Sequence, residues 1–259
     1  RGDCVMVGKK VTAMLLCSVL CLFNMTSVFA MENEGSVEIY EKYRNDIQFK
    51  MMQEEYGKDY ADTFLSDVEN MYIDIASMKN ARGGGGNTCY QRVTNIQQTK
   101  SYNCGTTTVL QTLYGLGTQN KVAGKTNGDK IETLDKEYNV DSQGSLMVYQ
   151  VRDALNKYSN KSYIYELGSS MTKTGFEDRI AASLTAGKPV VLHARTEKIT
   201  YYKGHSSGHY ISLDYVDRLH GVVRLVDCNN NSNYYGVHPN VAVSDAYNAI
   251  AASGRYLIY

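Results

Sequence analysis

Residues 97–115 read QQTKSYNCGTTTVLQTLYG and predict a short helix that begins at a cysteine. Asn103 is a typical N-cap residue, the apolar residues at 109, 110 and 113 share one helix face, and Gly115 ends the helix. Cys104 therefore falls in the first turn, where the partial positive charge of a helix N-terminus favours the thiolate. Because the thiolate is the nucleophilic form, Cys104 is a candidate catalytic residue. The alternative is a buried cysteine that acts as a small apolar side chain.

Two neighbours of Cys104 fit the same chemistry. Gln98 lies six positions upstream, and its amide N–H and the backbone N–H of Cys104 are candidate hydrogen-bond donors to an oxyanion. Gly105 carries no side chain, which lets backbone or substrate approach closely.

A histidine and an aspartate later in the chain form a candidate base and its partner. Residues 208–216 and 222–228 both alternate apolar and polar side chains, as half-buried strands do. An antiparallel hairpin centred on Arg218 would make His209 and Asp227 direct cross-strand neighbours, with Cβ atoms about 5 Å apart. A carboxylate beside an imidazole fixes its tautomer and orientation, which a base serving a thiol requires. The alternative is a His–Asp pair that only satisfies its own hydrogen bonds at a sheet edge and has no catalytic role.

Together these motifs resemble a known family, the bacteriocin-processing double-glycine peptidases, and especially their stand-alone relatives. The resemblance is carried by Gln98 before Cys104-Gly105, Tyr114-Gly115 at the helix end, Gly208-His209-Tyr210 and the later Asp227. By motif order and spacing it covers residues 90–259. The family is a branch of the papain-like cysteine peptidases.

The resemblance implies a papain-like cysteine peptidase fold and a peptide or protein substrate. It implies Cys104 as nucleophile, His209 as base, Asp227 as the residue that orients His209, and Gln98 as oxyanion donor. In one respect the chain departs from the family, which usually has proline after the orienting aspartate, where this chain has Cys228.

Two other functions stay open at this point. One is a non-catalytic peptide-binding module on the same fold, and the other is an amidase or acyltransferase that uses the same residues. The presence of Cys104, His209 and Gln98 together favours an enzyme, because a degenerate binding module would commonly have lost one of them.

No cofactor and no metal site is predicted. His205 and His209 are four residues apart, but their glycine and serine neighbours indicate a loop, whereas metal ligands at that spacing need a helix.

The beginning of the chain predicts export. Residues 1–30 contain Lys9 and Lys10, then an apolar run, and finally Val28-Phe29-Ala30, which is the pattern of a signal peptide cleaved after Ala30. The apolar run is short and ends in polar residues, so no stable membrane insertion is expected after signal removal. We expect a secreted or cell-surface protein.

Residues 31–82 are predicted to be an acidic helical segment. Residues 31–80 carry a net charge of −7 and residues 81–259 a net charge of +5. The chain as a whole is neutral and lacks the basic cluster of a nucleic-acid binder. One apolar stripe at helical spacing is formed by Phe64, Val68, Met71, Ile75 and Met78. Four glycines at 83–86 indicate a flexible linker to a domain at 87–259. This layout predicts the pro-segment of a zymogen, or a docking segment in intramolecular contact with the domain.

The 87–259 domain is predicted to have an α+β fold. Further helices are expected near 129–138, 145–158, 175–186 and 244–252, and further strands at 162–167, 189–194 and 255–259. Helices first and antiparallel strands afterwards predict N-terminal helices packed on a C-terminal antiparallel sheet.

The cysteines suggest one disulfide. Cys89, Cys104 and Cys228 remain after signal removal, and three thiols in an exported protein suggest one bridge and one free thiol. With Cys104 free, Cys89 and Cys228 are the candidate pair. Strand alternation would turn Cys228 to the face opposite Asp227, away from the active site.

Overall fold

The computed structural model describes residues 39–81, 88–231, 233–234, 237–251 and 254–259. The predicted signal peptide at 1–30 and the predicted glycine linker at 83–86 lie outside these ranges. The chain divides into two compact units, Arg1–Asn45 and Asp46–Tyr259. In the first unit, residues 39–43 are helical. Every element named below belongs to the second unit.

The described part of the second unit combines helices with short strands. Its helices are α1 (Ile47–Tyr56), α2 (Lys58–Ala81), α3 (Cys104–Gly115), α4 (Asn127–Glu137), α5 (Val140–Gln143), α6 (Val148–Tyr158), α7 (Lys173–Thr185) and α8 (Val243–Ala251). Its strands are β1 (Thr88–Tyr90), β2 (Tyr165–Leu167), β3 (Val190–Arg195), β4 (Gly208–Asp217), β5 (Val222–Val226), β6 (Asn240–Ala242) and β7 (Tyr256–Ile258).

The strands form one antiparallel sheet in the order β2-β7-β3-β4-β5-β6, and β1 also pairs with β4. Helices α3 and α7 both pack against β4, and side chains of both alternating sets along β4 are buried. The strand that carries His209 is therefore a covered, central strand. Helices packed on an antiparallel sheet confirm the predicted α+β class.

Most predicted elements are present with ends shifted by a few residues, and one shift matters for the site. The helix expected from Ser145 begins instead at Val148. Gly144 has a φ of 76°, and the side chain of Gln150 accepts the backbone N–H of Met147 at 3.0 Å, so the chain enters α6 only after this turn. Ser145 is thereby left outside the helix, on the wall of the pocket described below.

The hairpin β4–β5 exists, but its predicted register is wrong. Near the turn Asp217 pairs with Val222, and further along Ser212 pairs with Val226, so His209 and Asp227 are not directly opposite each other. The turn is centred between Leu219 and His220 and not on Arg218, and the Asp217 carboxylate accepts the backbone N–H groups of two turn residues. These donors are Leu219 at 3.0 Å and His220 at 3.1 Å.

A bulge in β4 changes the face of the sheet on which Asp227 is expected to lie. The register shifts between Leu213 and Tyr215. Continued past β5, the register beyond the bulge places Asp227 opposite Ile211, on the face of His209. The register of the turn would place it opposite Ser212, on the other face. In this continued register, the extra residue of the bulge brings Asp227 to the face on which His209 lies.

Helices α1 and α2 pack on α6 and on the sheet edge at β2. The Phe64 ring stacks on Tyr165 with centroids 4.6 Å apart, and the Arg152 guanidinium lies 4.8 Å from the Phe64 centroid. The side chain of Gln48 accepts the first backbone N–H of α6, that of Val148, at 2.9 Å. Residues 46–81 thus contact the rest of the second unit along an apolar and hydrogen-bonded face.

The apolar stripe predicted on α2 is the face that packs. Phe64, Val68 and Ile75 are buried, whereas the side chain of Met78 lies outside the described residues. In the described ranges no helix has both the length and the apolar character that crossing a bilayer requires.

Candidate active site

Cys104 is the first residue of α3 and is buried. Asn103 occupies the predicted N-cap position, but its side chain makes no cap hydrogen bond and is used inside the preceding loop. Its Oδ1 accepts the N–H of Lys100 at 3.0 Å, and its Nδ2 donates to Asp135 on α4 at 3.1 Å. The loop and α4 therefore hold the start of α3, and the thiol with it, in place.

Gln98 is held beside Cys104 by the segment that follows Asp227. Its backbone N–H donates to the carbonyl of Cys228 at 2.8 Å, and its Nε2 donates to the carbonyl of Lys100 at 2.9 Å. An amide nitrogen carries two hydrogens, so one N–H of Gln98 can still donate to a ligand. Gln98 lines the same pocket as Cys104 and His209.

His209 and Asp227 meet at the ends of β4 and β5. His209 Nε2 lies 2.6 Å from Asp227 Oδ1, and both residues are buried. Asp227 Oδ1 also accepts the N–H of Asn229 at 2.8 Å, and its Oδ2 accepts the hydroxyl of Tyr202 at 2.5 Å. Because Nε2 faces Asp227, Nδ1 is the ring nitrogen left for Cys104.

Electrostatics at these groups favour a thiolate beside an imidazolium. Burial raises the pKa of Cys104, but the His209 charge and hydrogen bond outweigh it, so this pKa lies below the usual thiol value. For His209, burial lowers the pKa, but the charges of Asp227 and Cys104 raise it well above its usual value. Burial raises the pKa of Asp227, and the contact with His209 brings it below the ordinary carboxyl value.

These groups open into a pocket of about 390 Å³. Its lining is polar and rich in small side chains, comprising Gln98, Ser101, Tyr102, Cys104, Gly144, Ser145, His205, Ser207, Gly208, His209, Asn229, Asn230 and Asn231. Among the described side chains of α1 and α2, none is in this lining. The pocket is thus built from four segments: the loop that leads into α3, the turn that leads into α6, the loop that leads into β4 and the loop that follows β5.

Gly105 is needed for packing behind the thiol. A Cβ at this position would lie 2.9 Å from Leu146 Cβ and 3.2 Å from the Tyr210 ring. The close approach predicted at Gly105 is therefore made by the protein's own side chains. A larger residue would push Leu146, which follows the pocket residue Ser145.

Cys228 lies against the candidate site, so the expectation that it points away is wrong. Its Sγ is 3.6 Å from Gln98 Oε1 and 3.6 Å from the carbonyl oxygen of Cys104. Cys228 lies beyond the last residue of β5, Val226, and strand alternation does not carry it away from the pair, because donor atoms of His209, Asp227 and Cys228 lie within 4.8 Å of one another. The suggested bridge is also absent: Cys89 and Cys228 are both free, and Cys89 Sγ contacts Thr185 Oγ1 at 3.4 Å.

Tyr202 is the site residue that sequence reasoning missed. It is one of 22 tyrosines, and no spacing relates it to Asp227, because the contact depends on how the loop between β3 and β4 folds back. The sequence singles out Cys228 only as a departure from the family pattern and as a candidate disulfide partner of Cys89.

Three donor groups of the site lie close enough to suggest a metal ligand set. Among the described residues, donor atoms of His209, Asp227 and Cys228 all lie within 4.8 Å of one another. Because His209 and Asp227 are hydrogen-bonded to each other at 2.6 Å, we assign this pair to proton chemistry rather than to metal binding.

Comparison with known proteins gives the family. The model of the Peptidase_C39 like family matches residues 90–254. The chain belongs to the Peptidase_C39 like family. This match confirms the resemblance to relatives of the double-glycine peptidases and, with it, the predicted papain-like α+β fold. A match to curated proteins was not found.

A solved structure is also similar to this Peptidase_C39 like chain. It is the crystal structure of a double glycine motif protease from an AMS/PCAT transporter in complex with the leader peptide. The two share 12% sequence identity with a TM-score of 0.38, over 65% of this chain and 91% of the other.

The lowered pKa of Cys104 predicts selective alkylation. At about pH 7, iodoacetamide should modify Cys104 much faster than an ordinary thiol of pKa about 8.5, because the thiolate is already present above the lowered pKa and is lost only as pH falls through it. His209→Ala should raise the pH below which the labelling rate of Cys104 falls. Mass spectrometry of the labelled native protein measures both effects.

Cys104→Ser and Cys89→Ser are the matched controls for this labelling. Cys228 should stay unmodified in the native protein, because it is fully buried. Faster labelling of Cys89 or Cys228 than of Cys104 would mean that the nucleophile is misassigned.

Proposed function

We propose that this member of the Peptidase_C39 like family is a cysteine peptidase that cleaves peptide bonds in a peptide or protein substrate. The observation that carries the proposal is the 2.6 Å contact between His209 and Asp227, made beside the thiol of Cys104 at one pocket. Gln98 completes the set as oxyanion donor. Nucleophile, base and orienting residue in this order are the requirements of thiol-dependent acyl transfer.

Acylation begins with the Cys104 thiolate attacking the carbonyl carbon of the scissile bond. The carbonyl electron pair moves to oxygen, and the tetrahedral intermediate then expels the amine. His209, protonated at Nδ1, gives its proton to the leaving nitrogen. Asp227 holds the ring by accepting from Nε2, so the acidic N–H points at the reacting centre.

Two N–H groups are suited to the oxyanion. Cys104 is the first residue of α3, so its N–H has no carbonyl partner within the helix. Gln98 Nε2 keeps a second hydrogen after donating to Lys100. Donors of this kind, placed where charge develops, lower the barrier to the tetrahedral intermediate. In the second half-reaction His209 takes a proton from water and the hydroxide adds to the carbonyl carbon of the thioester. The C–S bond then breaks, which releases a carboxylic acid and restores the Cys104 thiolate beside the imidazolium.

The polar pocket lining supports a peptide main chain as the bound group. Amide side chains at Asn229, Asn230 and Asn231 can both donate and accept, as an extended backbone requires. Small residues such as Gly144 and Gly208 leave room for the backbone to approach.

We propose further that residues 46–81 are a docking segment and not a cover of the pocket. The support is their packing on α6 and β2 through Phe64 and Gln48, together with a pocket lining drawn from other parts of the chain. The zymogen pro-segment predicted as the other option would act by blocking the pocket.

We propose export on the evidence of the sequence alone. Lys9, Lys10 and the apolar run before Ala30 form the signal pattern.

Variants of the catalytic groups test the peptidase proposal on a peptide library. Cys104→Ala should abolish cleavage, Asp227→Asn should lower kcat by up to about 10⁴-fold, and Gln98→Ala should lower it by about 10²-fold. Circular dichroism and thermal unfolding of each variant control for folding. Undiminished cleavage by Cys104→Ala would refute the assignment. Thiol-dependent turnover of small amides or acyl acceptors without peptide cleavage would identify the amidase or acyltransferase alternative.

Cutting the linker tests the docking segment. Residues 83–86 are replaced by the recognition sequence of a specific protease, and the folded protein is cut there. The two pieces should stay together in gel filtration, and turnover of a short peptide should change by less than about twofold. Phe64→Ala should release the segment, because it removes the ring that packs on Tyr165.

Ile73→Ala, at an exposed position of the same helix, is the matched control and should keep the pieces together. A large rise in turnover upon release would instead identify the pro-segment of a zymogen.

Expression with the natural N-terminus in a secreting host tests export. We expect the protein in the medium or at the cell surface, with Met31 as its first residue by N-terminal sequencing. Cytoplasmic protein that retains residues 1–30 would contradict this prediction.

A further inference from the structure

The Asp227 carboxylate is held from two sides, and the second side is a tyrosine. Oδ1 accepts from His209 Nε2 at 2.6 Å and from the Asn229 N–H at 2.8 Å. Oδ2 accepts from the Tyr202 hydroxyl at 2.5 Å. Asp227 and Tyr202 are both fully buried, and a buried carboxylate is strongly destabilised unless such donors compensate it.

We propose that Tyr202 is a positioning residue for the His209–Asp227 pair, a role that rests on the proposed peptidase function. Donors on both oxygens fix the plane of the carboxylate, because rotating it would break one bond or the other. The fixed plane directs Oδ1 at Nε2, and this in turn directs Nδ1 at Cys104. Tyr202 itself transfers no proton, since Asp227 accepts its hydrogen bond throughout.

The position of Tyr202 is itself well determined. It ends the short 3₁₀ turn Thr200–Tyr202, and its N–H donates to the carbonyl of Ile199 at 3.0 Å. Its ring packs on Tyr201 at 5.2 Å and on Tyr234 at 5.1 Å between centroids. Tyr234 belongs to the loop that follows β5, so the ring contacts join the loops on either side of Asp227.

The same loop reaches the pocket wall. The carbonyl of Tyr202 accepts the N–H of His205 at 2.9 Å, and the carbonyl of His205 accepts the Thr196 hydroxyl at 2.5 Å. His205 and Ser207 line the pocket. Tyr202 therefore connects the carboxylate that orients the base to the loop that borders the substrate space.

Tyr201 offers a matched comparison within the same ring cluster. Its hydroxyl donates to the carbonyl of Asn233 at 3.3 Å and not to Asp227. Tyr201→Phe removes a hydroxyl from the cluster without touching the carboxylate, whereas Tyr202→Phe removes the donor to Oδ2. Both substitutions keep the aromatic ring and its packing.

A double-mutant cycle with Asp227→Asn separates positioning from structure. In the full chain, Tyr202→Phe should lower kcat for peptide hydrolysis by about tenfold or more and leave KM within about twofold, since misorienting a catalytic group affects the chemical step. In the Asp227→Asn background the same substitution should change kcat by less than about twofold, because the carboxylate it positions is gone. Tyr201→Phe should match the wild type.

An equal loss of kcat from Tyr202→Phe in both backgrounds, or wild-type kcat in Tyr202→Phe, would overturn the proposal. If Tyr202→Phe does not fold by itself, the folded Asp227→Asn protein supplies the decisive comparison. A tenfold further loss on adding Tyr202→Phe there would also overturn it.

The alkylation rate of Cys104 distinguishes failure of this proposal from failure of the proposed function. Tyr202→Phe should slow iodoacetamide labelling of Cys104 at about pH 7, and should not slow it in the Asp227→Asn background. If the wild type labels rapidly but cleaves no peptide, the peptidase function fails while this difference still tests Tyr202. If peptide cleavage is present and both readouts are unchanged by Tyr202→Phe, only the positioning role is wrong.

Discussion

The hydrogen bond between His209 Nε2 and Asp227 Oδ1 is the contact on which the rest of the candidate site depends. Asp227 is fully buried, so its charge is tolerated only because donors surround it, and the imidazole is one of them. The charge in turn raises the pKa of His209 well above its usual value, and the charged ring lowers the pKa of Cys104. The bulge in β4 favours this contact, because the register of the turn, if continued past β5, would put Asp227 on the other face of the sheet.

The two halves of the site are joined by the main chain. The N–H of Gln98, six residues before Cys104, donates to the carbonyl of Cys228, which directly follows Asp227, at 2.8 Å. The thiol of Cys228 adds a contact to Gln98 Oε1 at 3.6 Å. The amide that faces the pocket is therefore held by the segment that carries Asp227. A change in one wall of the pocket would therefore affect Gln98 and the His209–Asp227 pair together.

Helices α1 and α2 extend the fold beyond the residues that match the family model. Phe64 on Tyr165 and Arg152 over the same ring make this layer part of the packing around α6. Gln48 accepts the first N–H of α6, and the turn that leads into α6 forms one pocket wall. The acidic segment, which its charge and the glycine linker suggested was separate, thus packs on β2 and α6 through apolar and hydrogen-bonded contacts. The net negative charge of the segment contributes less to this docking, because attraction between exposed charges is screened by salt.

Local pattern determined much of this protein. Hydrophobic periodicity predicts the stripe through Phe64 and the two strands near His209 and Asp227. Periodicity, an N-cap residue and a terminal glycine predict the helix from Cys104 to Gly115. All of these signals depend only on residues close together in the sequence. The meeting of His209 with Asp227 was foreseen, but through a register that the structure contradicts, because turn length and a bulge depend on backbone hydrogen bonds that no residue pattern records. Two contacts were decided by tertiary structure alone: that of Tyr202 with the Asp227 carboxylate and that of Cys228 with Gln98. Both contacts join segments distant in sequence, and they form only when the loops at the strand ends fold back over a carboxylate that must be given donors once it is buried.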